Sequence, residues 1–384
     1  MNTIHRAYKF RLYPTPEQAE QLAKTFGCAR FVFNHFLRVR TDGFFKDKER
    51  IGYNETAKRL TALKQQPETV WLNEVSNVVL QQSLRNLDTS FQNFFQKRAK
   101  YPSFKSKHGP QSARYTSSGF RMKAGELWLA KMSAPLDMRW SRKIKGEISS
   151  VSVSKDASGR YFASLLSTEE VQALPVSEGV IGMDLGLKDA LITSDGQTVP
   201  NPKFFRKAQV RLARAQRSLC RKKKGSKNRA KARLKVARIH AKVGDSRKDW
   251  SHKLTTQLIR ENQVISAESL QVKNMVKNHC LAKAIHDVGW SEITRQLEYK
   301  AKWYGRTFVQ IDRFYPSSKR CSCCGHTLQK LDLATRQWTC PECGTSHDRD
   351  INAAINIREA GLAILAGAGM LRSHEKNTAG LAEL

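Results

Sequence analysis

Four cysteines near the C-terminus carry the most specific chemistry in this chain. Cys321 and Cys324, then Cys340 and Cys343, read C-x2-C-x15-C-x2-C. That spacing falls in the range of a tetrahedral zinc ribbon. Four thiolates complete the coordination of zinc, so such an ion folds a small lobe and leaves no position for a substrate. Cys323 lies inside the first knuckle, where it could bind only by spoiling the spacing, and is read as a spare. Cys28, Cys220 and Cys280 are scattered. One metal site in a reducing compartment explains this usage better than a disulfide framework.

The reactive chemistry must lie beside the ribbon. Directly after the second knuckle comes Asp348-Arg349-Asp350-Ile351-Asn352-Ala353-Ala354. Two further acids end apolar strands: Asp184 after Val180-Ile181-Gly182-Met183, and Glu268 after Val264-Ile265-Ser266-Ala267. A strand-end carboxylate is costly to bury without a cation. Three that converge would hold hard divalent ions, Mg2+ or Mn2+, with positions left for phosphate and water. Two such ions ~3.5–4 Å apart stabilise the attacking and leaving oxygens of a phosphodiester displacement. Each acid alone is a weak signal, since a strand-end aspartate is more often a turn or cap. Their order carries the case: strand-Asp, strand, basic helices, strand-Glu, helix, strand, zinc ribbon, helix-Asp. That is the connectivity of an RNase H-like nuclease with insertions.

The elements that must position these groups can be read in outline. The chain has 384 residues, 40% hydrophobic, enough for two or three domains, and a formal net charge of +33. So large an excess predicts a polyanionic partner. No apolar run approaches the ~20 residues of a membrane span, and the N-terminus lacks the apolar stretch of a signal peptide. A soluble cytoplasmic protein, at the nucleoid when bound to DNA, is expected.

The alternation of Tyr8, Phe10 and Leu12 predicts an opening strand. Thr15-Pro16-Glu17-Gln18 is a capping box with proline at the first helical position. The helix it starts is expected to end at Gly27, with a second carrying Val32, Phe33, Phe36 and Leu37. A third presents Leu80, Leu84, Leu87, Phe91, Phe94 and Phe95 as one apolar stripe. Residues 97–121 mix basic residues, Lys105 and Lys107 among them, with Tyr101, Phe104, Tyr115 and Phe120. This reads equally as a base-stacking, phosphate-pairing segment or as a solvated loop. Strands return between 126 and 167, with a turn at Ala157-Ser158-Gly159, and pair with the first strand into a small barrel. Residues 169–178 read as a linker. Residues 203–248 form a basic helical hairpin turning at Gly225-Ser226, with Arg221, Lys222, Lys223 and Lys224 at its tip. Its one-signed charge favours contact with nucleic acid. In the last helix, Ile351, Ala354, Ile355 and Ala360 are expected to be buried.

In combination these segments resemble the TnpB family, the OrfB proteins of bacterial insertion sequences, relatives of type V CRISPR effectors. The resemblance rests on Arg6-Ala7-Tyr8-Lys9-Phe10-Arg11-Leu12-Tyr13-Pro14, the Gly182-Met183-Asp184-Leu185-Gly186 segment, Glu268 before Ser269-Leu270, the paired knuckles and Asp348 to Ile357. It covers nearly all of the chain except the tail. It implies a mixed α/β and α+β multidomain fold: a split RuvC nuclease (178–316 and 348–367, with the basic insertion 203–248), a zinc ribbon (317–347), and a wedge β-barrel (1–14 and 99–172) interrupted by a helical recognition domain (15–98). Residues 368–384 are expected to be a disordered tail.

The resemblance also implies an RNA-guided DNA endonuclease encoded by a transposable element. Its catalytic acids would be Asp184, Glu268 and Asp350, with Asp348 a cap or support. Structural zinc would sit on Cys321, Cys324, Cys340 and Cys343. The partners would be a guide RNA from the element's end and a double-stranded DNA target next to a short adjacent motif, with one protein copy per RNA complex and no membrane. The rival functions are a catalytically silent RNA-guided repressor, an accessory transposase and a zinc-ribbon RNA-binding protein.

Overall fold

The computed structural model describes residues 2–332 and 334–368. The tail expected to be disordered lies, apart from Ala368, outside the described residues. The described residues form two compact units, Thr3–Glu170 and, with Asn2, those from Val171 to Ala368.

The first unit opens with β1 (Asn2–Leu12), whose Tyr8, Phe10 and Leu12 are buried as their alternation requires. Three helices follow: α1 (Pro16–Asp47), α2 (Tyr53–Leu63) and α3 (Asn77–Phe95). The capping box forms, with Thr15 accepting from the Gln18 amide and the Gln18 side chain accepting from the Thr15 amide. Gly27 does not end this helix. Nothing lies within 4 Å of where its Cβ would be, and burial of Val32, Phe33, Phe36 and Leu37 carries one helix across it. Packing outweighs the ~1 kcal/mol that a mid-helix glycine costs. The stripe of α3 is buried through Phe91, but Phe95 is 71% exposed because the helix ends there.

The rest of this unit is β2 (Gln111–Thr116), β3 (Phe120–Lys123), β4 (Glu126–Leu129), β5 (Met138–Arg139), β6 (Glu147–Lys155) and β7 (Tyr161–Val171). A five-stranded sheet runs β2-β6-β7-β1-β5, and β3 pairs with β4 as a separate hairpin. The segment read as a stacking platform or loop therefore contains a strand. Tyr115 on β2 is 1% exposed in the core, so it has no face left for a base. Glu169 is no linker residue either. Buried on β7, it accepts from Tyr8 Oη at 2.6 Å and pairs with Arg6 Nη1 at 2.8 Å. Two residues of the N-terminal signature thus hold one internal carboxylate, Arg6 by opposite charge and Tyr8 by a hydrogen bond.

The second unit is built on β8 (Val180–Asp184), β9 (Asp189–Thr193), β10 (Thr198–Pro200), β11 (Val264–Glu268) and β12 (Thr307–Ile311). Their order is β10-β9-β8-β11-β12, with β8, β11 and β12 mutually parallel, β9 antiparallel to β8, and β10 antiparallel to β9. Between β10 and β11 the basic hairpin forms from α4 (Phe204–Cys220) and α5 (Lys227–Glu261). Between β11 and β12 lie α6 (Val272–Met275), α7 (His279–Val288) and α8 (Trp290–Tyr304). A small ribbon pairs β13 (Gln337–Thr339) with β14 (Ser346–Asp348), and α9 (Arg349–Gly367) follows at once.

Alternation along β8 and β11 divides the sheet into two faces. Ile181, Met183, Ile265 and Ala267 join Leu254 and Leu258 of α5 and Ile293 and Leu297 of α8 in one core. Val180 and Val264 instead pack with Val309, Leu362 and Leu365 beneath α9. That helix approaches closely. A Cβ on Gly182 would stand 2.1 Å from the Ala354 carbonyl oxygen, and one on Gly361 2.0 Å from Ser266 Oγ. The buried side of α9 is Asn352, Ala353, Ala354, Asn356, Ile357, Gly361 and Leu365. The expected Ile351, Ile355 and Ala360 are only half-buried, because the helix is turned to seat two asparagines. Among the described residues no helix is long and apolar enough to cross a membrane.

Candidate active site and metal centre

The same alternation positions the acids. Asp184 continues the Val180-Gly182 face of β8, and Glu268 continues the Val264-Ser266 face of β11. Both strands are parallel with Ala267 opposite Met183, so the two carboxylates are neighbours at one end of the sheet, on the side covered by α9. Asp350 lies in the first turn of that helix. Asp348 is its N-cap, accepting from the Asp350 and Ile351 amides at 3.0 Å each. Asp348 thus caps the helix, and the Asp350 carboxylate takes no part in the cap.

The three acids interact. Asp184 is pushed up from an ordinary 3.8 to about 7, first by burial and then by the charges of Glu268 and Asp350, with Arg349 opposing. Arg336 Nη1 lies 3.0 Å from Asp350 Oδ2. Asp184, Asp350, Arg336, Arg349, Lys188 and Asp189 are among the walls of a cleft of about 370 Å³. Glu268 is held by Ser317, whose Oγ donates to Oε1 at 2.6 Å. The carboxylates meet at one end of the sheet but do not close into a tight ligand set. Among the described residues, the cysteines alone bring three or more such ligand atoms within 4.8 Å of one another.

The cysteine site fits zinc. Its Sγ atoms are 3.7 Å apart for Cys321–Cys343 and 3.6 Å for Cys324–Cys340. A tetrahedron with Zn–S near 2.3 Å has edges of about 3.8 Å. The two knuckles repeat one turn: the Gly325 amide donates to the Cys321 carbonyl and that of Gly344 to the Cys340 carbonyl, each at 3.0 Å. Both glycines have the positive φ this turn requires (80° and 70°). Cys323 is outside the cluster. His347 Nε2 lies 3.0 Å from Cys321 Sγ, and the ring packs on Trp338. Burial holds this histidine below its usual pKa.

The basic residues are dispersed. Arg221, Lys222, Lys223 and Lys224 are exposed at the α4–α5 turn of the second unit. Lys105 and Lys107 belong to the first unit, where Lys105 Nζ sits 3.8 Å over the Phe33 ring and its backbone is bonded twice to Asn34.

Arg336, Ser317 and His347 escaped the sequence reading, and Asn352 and Asn356 entered it only as part of a motif, without a role. The asparagines left a signal. They stand four apart on the buried side of a helix, where a polar side chain needs partners. Asn352 and Asn356 donate to the Arg320 carbonyl at 2.7 and 2.6 Å, and Asn352 Oδ1 accepts from the Ser322 amide at 3.0 Å. They therefore tie the first knuckle to α9.

The chain is similar to known proteins along most of its length. Residues 163–279 match the OrfB family of IS605 elements, described as "Probable transposase". Residues 290–357 match the Cas12f1-like TNB domain. Residues 1–48 match an OrfB domain described as helix-turn-helix, although here that span is β1 and one long helix. A Streptomyces pristinaespiralis protein named "Putative RNA-guided DNA endonuclease" is 48% identical over 99% of this chain and 95% of its own length. Escherichia coli InsQ, which bears the same description, is 34% identical over 96% of this chain and 95% of its own. The chain in a cryo-EM structure of a Cas12f1–sgRNA–target DNA complex shares the fold, with a TM-score of 0.55 at 14% identity, over 93% of this chain and 99% of that one.

Proposed function

Starting from the chain's membership of the TnpB/OrfB family of IS605-type elements, which its full-length relatives show, we propose that it is an RNA-guided DNA endonuclease. Its catalytic residues are Asp184, Glu268 and Asp350. The observation that carries this reading is the shared face: two strand-end acids and one helix-start acid meet on the α9 side of one sheet, and each of the other two raises the pKa of Asp184.

The donor set fits hard divalent cations. A buried carboxylate crowded by two others is stable as an anion only with positive charge beside it. When bound, Mg2+ or Mn2+ would supply an activated water and stabilise the oxygens of in-line phosphodiester displacement. The protein's own part is positional. Asp184 and Glu268 are fixed by strand register, and Asp350 by the cap that Asp348 makes. Arg336 and Arg349 place positive charge on the cleft where a phosphate backbone would pass. Cys321, Cys324, Cys340 and Cys343 would hold a zinc ion whose part is structural. Lys222, Lys223, Lys224 and their neighbours on the exposed hairpin turn supply sequence-independent contact to RNA or DNA phosphates. The guide is an RNA from the element's end and the target is duplex DNA next to a short adjacent motif, in keeping with the guide and target DNA named in the Cas12f1 structure.

The test is to sequence the RNA that co-purifies with the protein, then to challenge the complex in Mg2+ with a plasmid library matching that RNA. Guide-dependent cutting supports the reading. Guide-dependent binding without cutting would replace it with a silent repressor, and strand joining would replace it with a transposase.

A further inference from the structure

Glu268 does not stand alone at its strand end, and what holds it comes from the zinc ribbon's own leader segment. Ser317 precedes the first ligand, Cys321, by four residues. It is 4% exposed, so bulk water does not compete for its hydroxyl, which donates to Glu268 Oε1 at 2.6 Å. The backbone around Ser317 is itself fixed. Its carbonyl accepts from Asn356 Nδ2 at 2.9 Å and its amide donates to the Tyr315 carbonyl at 2.8 Å. Three residues on, both asparagines hold the Arg320 carbonyl. These asparagines sit in the first two turns of α9, the helix that presents Asp350.

We propose that Ser317 is a positioning residue for Glu268, and that it refers two of the acids, Glu268 and Asp350, to one rigid helix. The inference rests on the nuclease reading above. The physical argument is that a glutamate side chain has three rotatable bonds, and strand register fixes only where it starts. A hydrogen bond to one carboxylate oxygen selects the rotamer and leaves the other oxygen directed away from Ser317, as a cation ligand. Removing a partner that orients a metal-binding carboxylate typically costs about 10- to 100-fold in metal affinity. A merely structural hydroxyl would change stability instead.

The experiment compares Ser317→Ala, Ser317→Thr and Ser317→Val in the full-length protein, with Glu268→Gln as reference. Threonine and valine have the same shape and differ in the hydroxyl, so they separate the hydrogen bond from the packing even if Ser317→Ala folds poorly. Mn2+ binding is read by electron paramagnetic resonance of the free protein. The Mg2+ half-saturation of cutting is read on the RNA complex. We expect Ser317→Ala and Ser317→Val to weaken Mn2+ binding by ~10-fold or more and to raise the Mg2+ requirement in step. Ser317→Thr should stay within about 3-fold of the parent. Guide and target binding should not change. If Ser317→Val and Ser317→Thr bind Mn2+ equally, or if all three variants lose it only as far as they lose melting temperature, the proposal is overturned. A parent protein whose Mn2+ binding ignores Glu268→Gln would overturn the nuclease reading and this one with it. Sensitivity to Glu268→Gln without sensitivity to Ser317→Val would overturn this one alone.

Discussion

Replacing Asp184 by asparagine should make the metal-free protein more stable while abolishing its cutting. The carboxyl is raised from 3.8 to about 7 by burial and by its two acidic neighbours. For an acid raised in the folded state, the unfolded chain gives up its proton first. Stability is therefore complete at pH below the unfolded value and declines as pH rises from about 4 to about 7. At about 1.4 kcal/mol per pH unit, the decline reaches ~4 kcal/mol above pH 7, of which ~2–3 kcal/mol falls between pH 5 and pH 8. Asparagine keeps the shape and has no charge to desolvate. At about 2–4 °C per kcal/mol for a unit of this size, Asp184→Asn should melt roughly 8 °C or more above the parent at pH 8, and the gap should narrow by more than half at pH 5. Mg2+ or Mn2+ should raise the parent's melting temperature toward the variant's and leave the variant almost unmoved. The assay is thermal unfolding of the zinc-loaded protein across pH 5–8, with and without divalent cation. A variant that melts below the parent at pH 8, or a gap independent of pH, would refute the reasoning.

Three further outcomes follow from other parts of the structure. Gly182→Ala should drive α9 off β8, because its Cβ would meet the Ala354 carbonyl oxygen at 2.1 Å and the Arg358 amide at 2.6 Å; a loss of about 1–3 kcal/mol in urea unfolding, with cutting lost, is expected. Cys340→Ser, or chelation of the zinc, should unfold the ribbon and raise the Mg2+ requirement of any remaining cutting, because the knuckle is tied to α9 through Asn352; metal analysis and a Mg2+ titration check this. Changing Lys222, Lys223 and Lys224 together to alanine should weaken guide RNA binding and lower its log–log salt dependence by up to ~2, while melting stays unchanged because all three side chains are exposed; a salt titration of binding reads the slope.

Much of the site was legible because strands and knuckles are local devices. The apolar runs ending in Asp184 and Glu268 declare their strands, and the two C-x2-C-G turns declare the four-cysteine cluster. Period-two alternation even assigns both acids to one face, once β8 and β11 are known to be parallel neighbours. Helix length was less legible. Gly27 reads as a stop, yet the partners that carry α1 across it, such as Leu80 and Leu84, are distant in sequence. Tyr115 and Glu169 were misread for the same reason. One lies in a basic segment and the other in an acidic one, and only the sheet shows that both are interior. Ser317 and Arg336 belong to no motif, and the two asparagines stand in the Asp348–Ile357 motif with no role that their residue type declares. Their roles exist only through contacts made 14 to 49 residues away along the chain.

The most direct test of the account is single-turnover cleavage of guide-matched plasmid in Mg2+ by four single variants: Asp184→Ala, Glu268→Ala, Asp350→Ala and Asp348→Ala. The first three remove proposed metal ligands, and the last removes only a helix cap worth about 0.5–2 kcal/mol. The account predicts no detectable cutting by the first three, retained guide and target binding by all four, and cutting within about 10-fold of the parent by Asp348→Ala. Full cutting by any of the first three, or loss by Asp348→Ala with retention by Asp350→Ala, would contradict it.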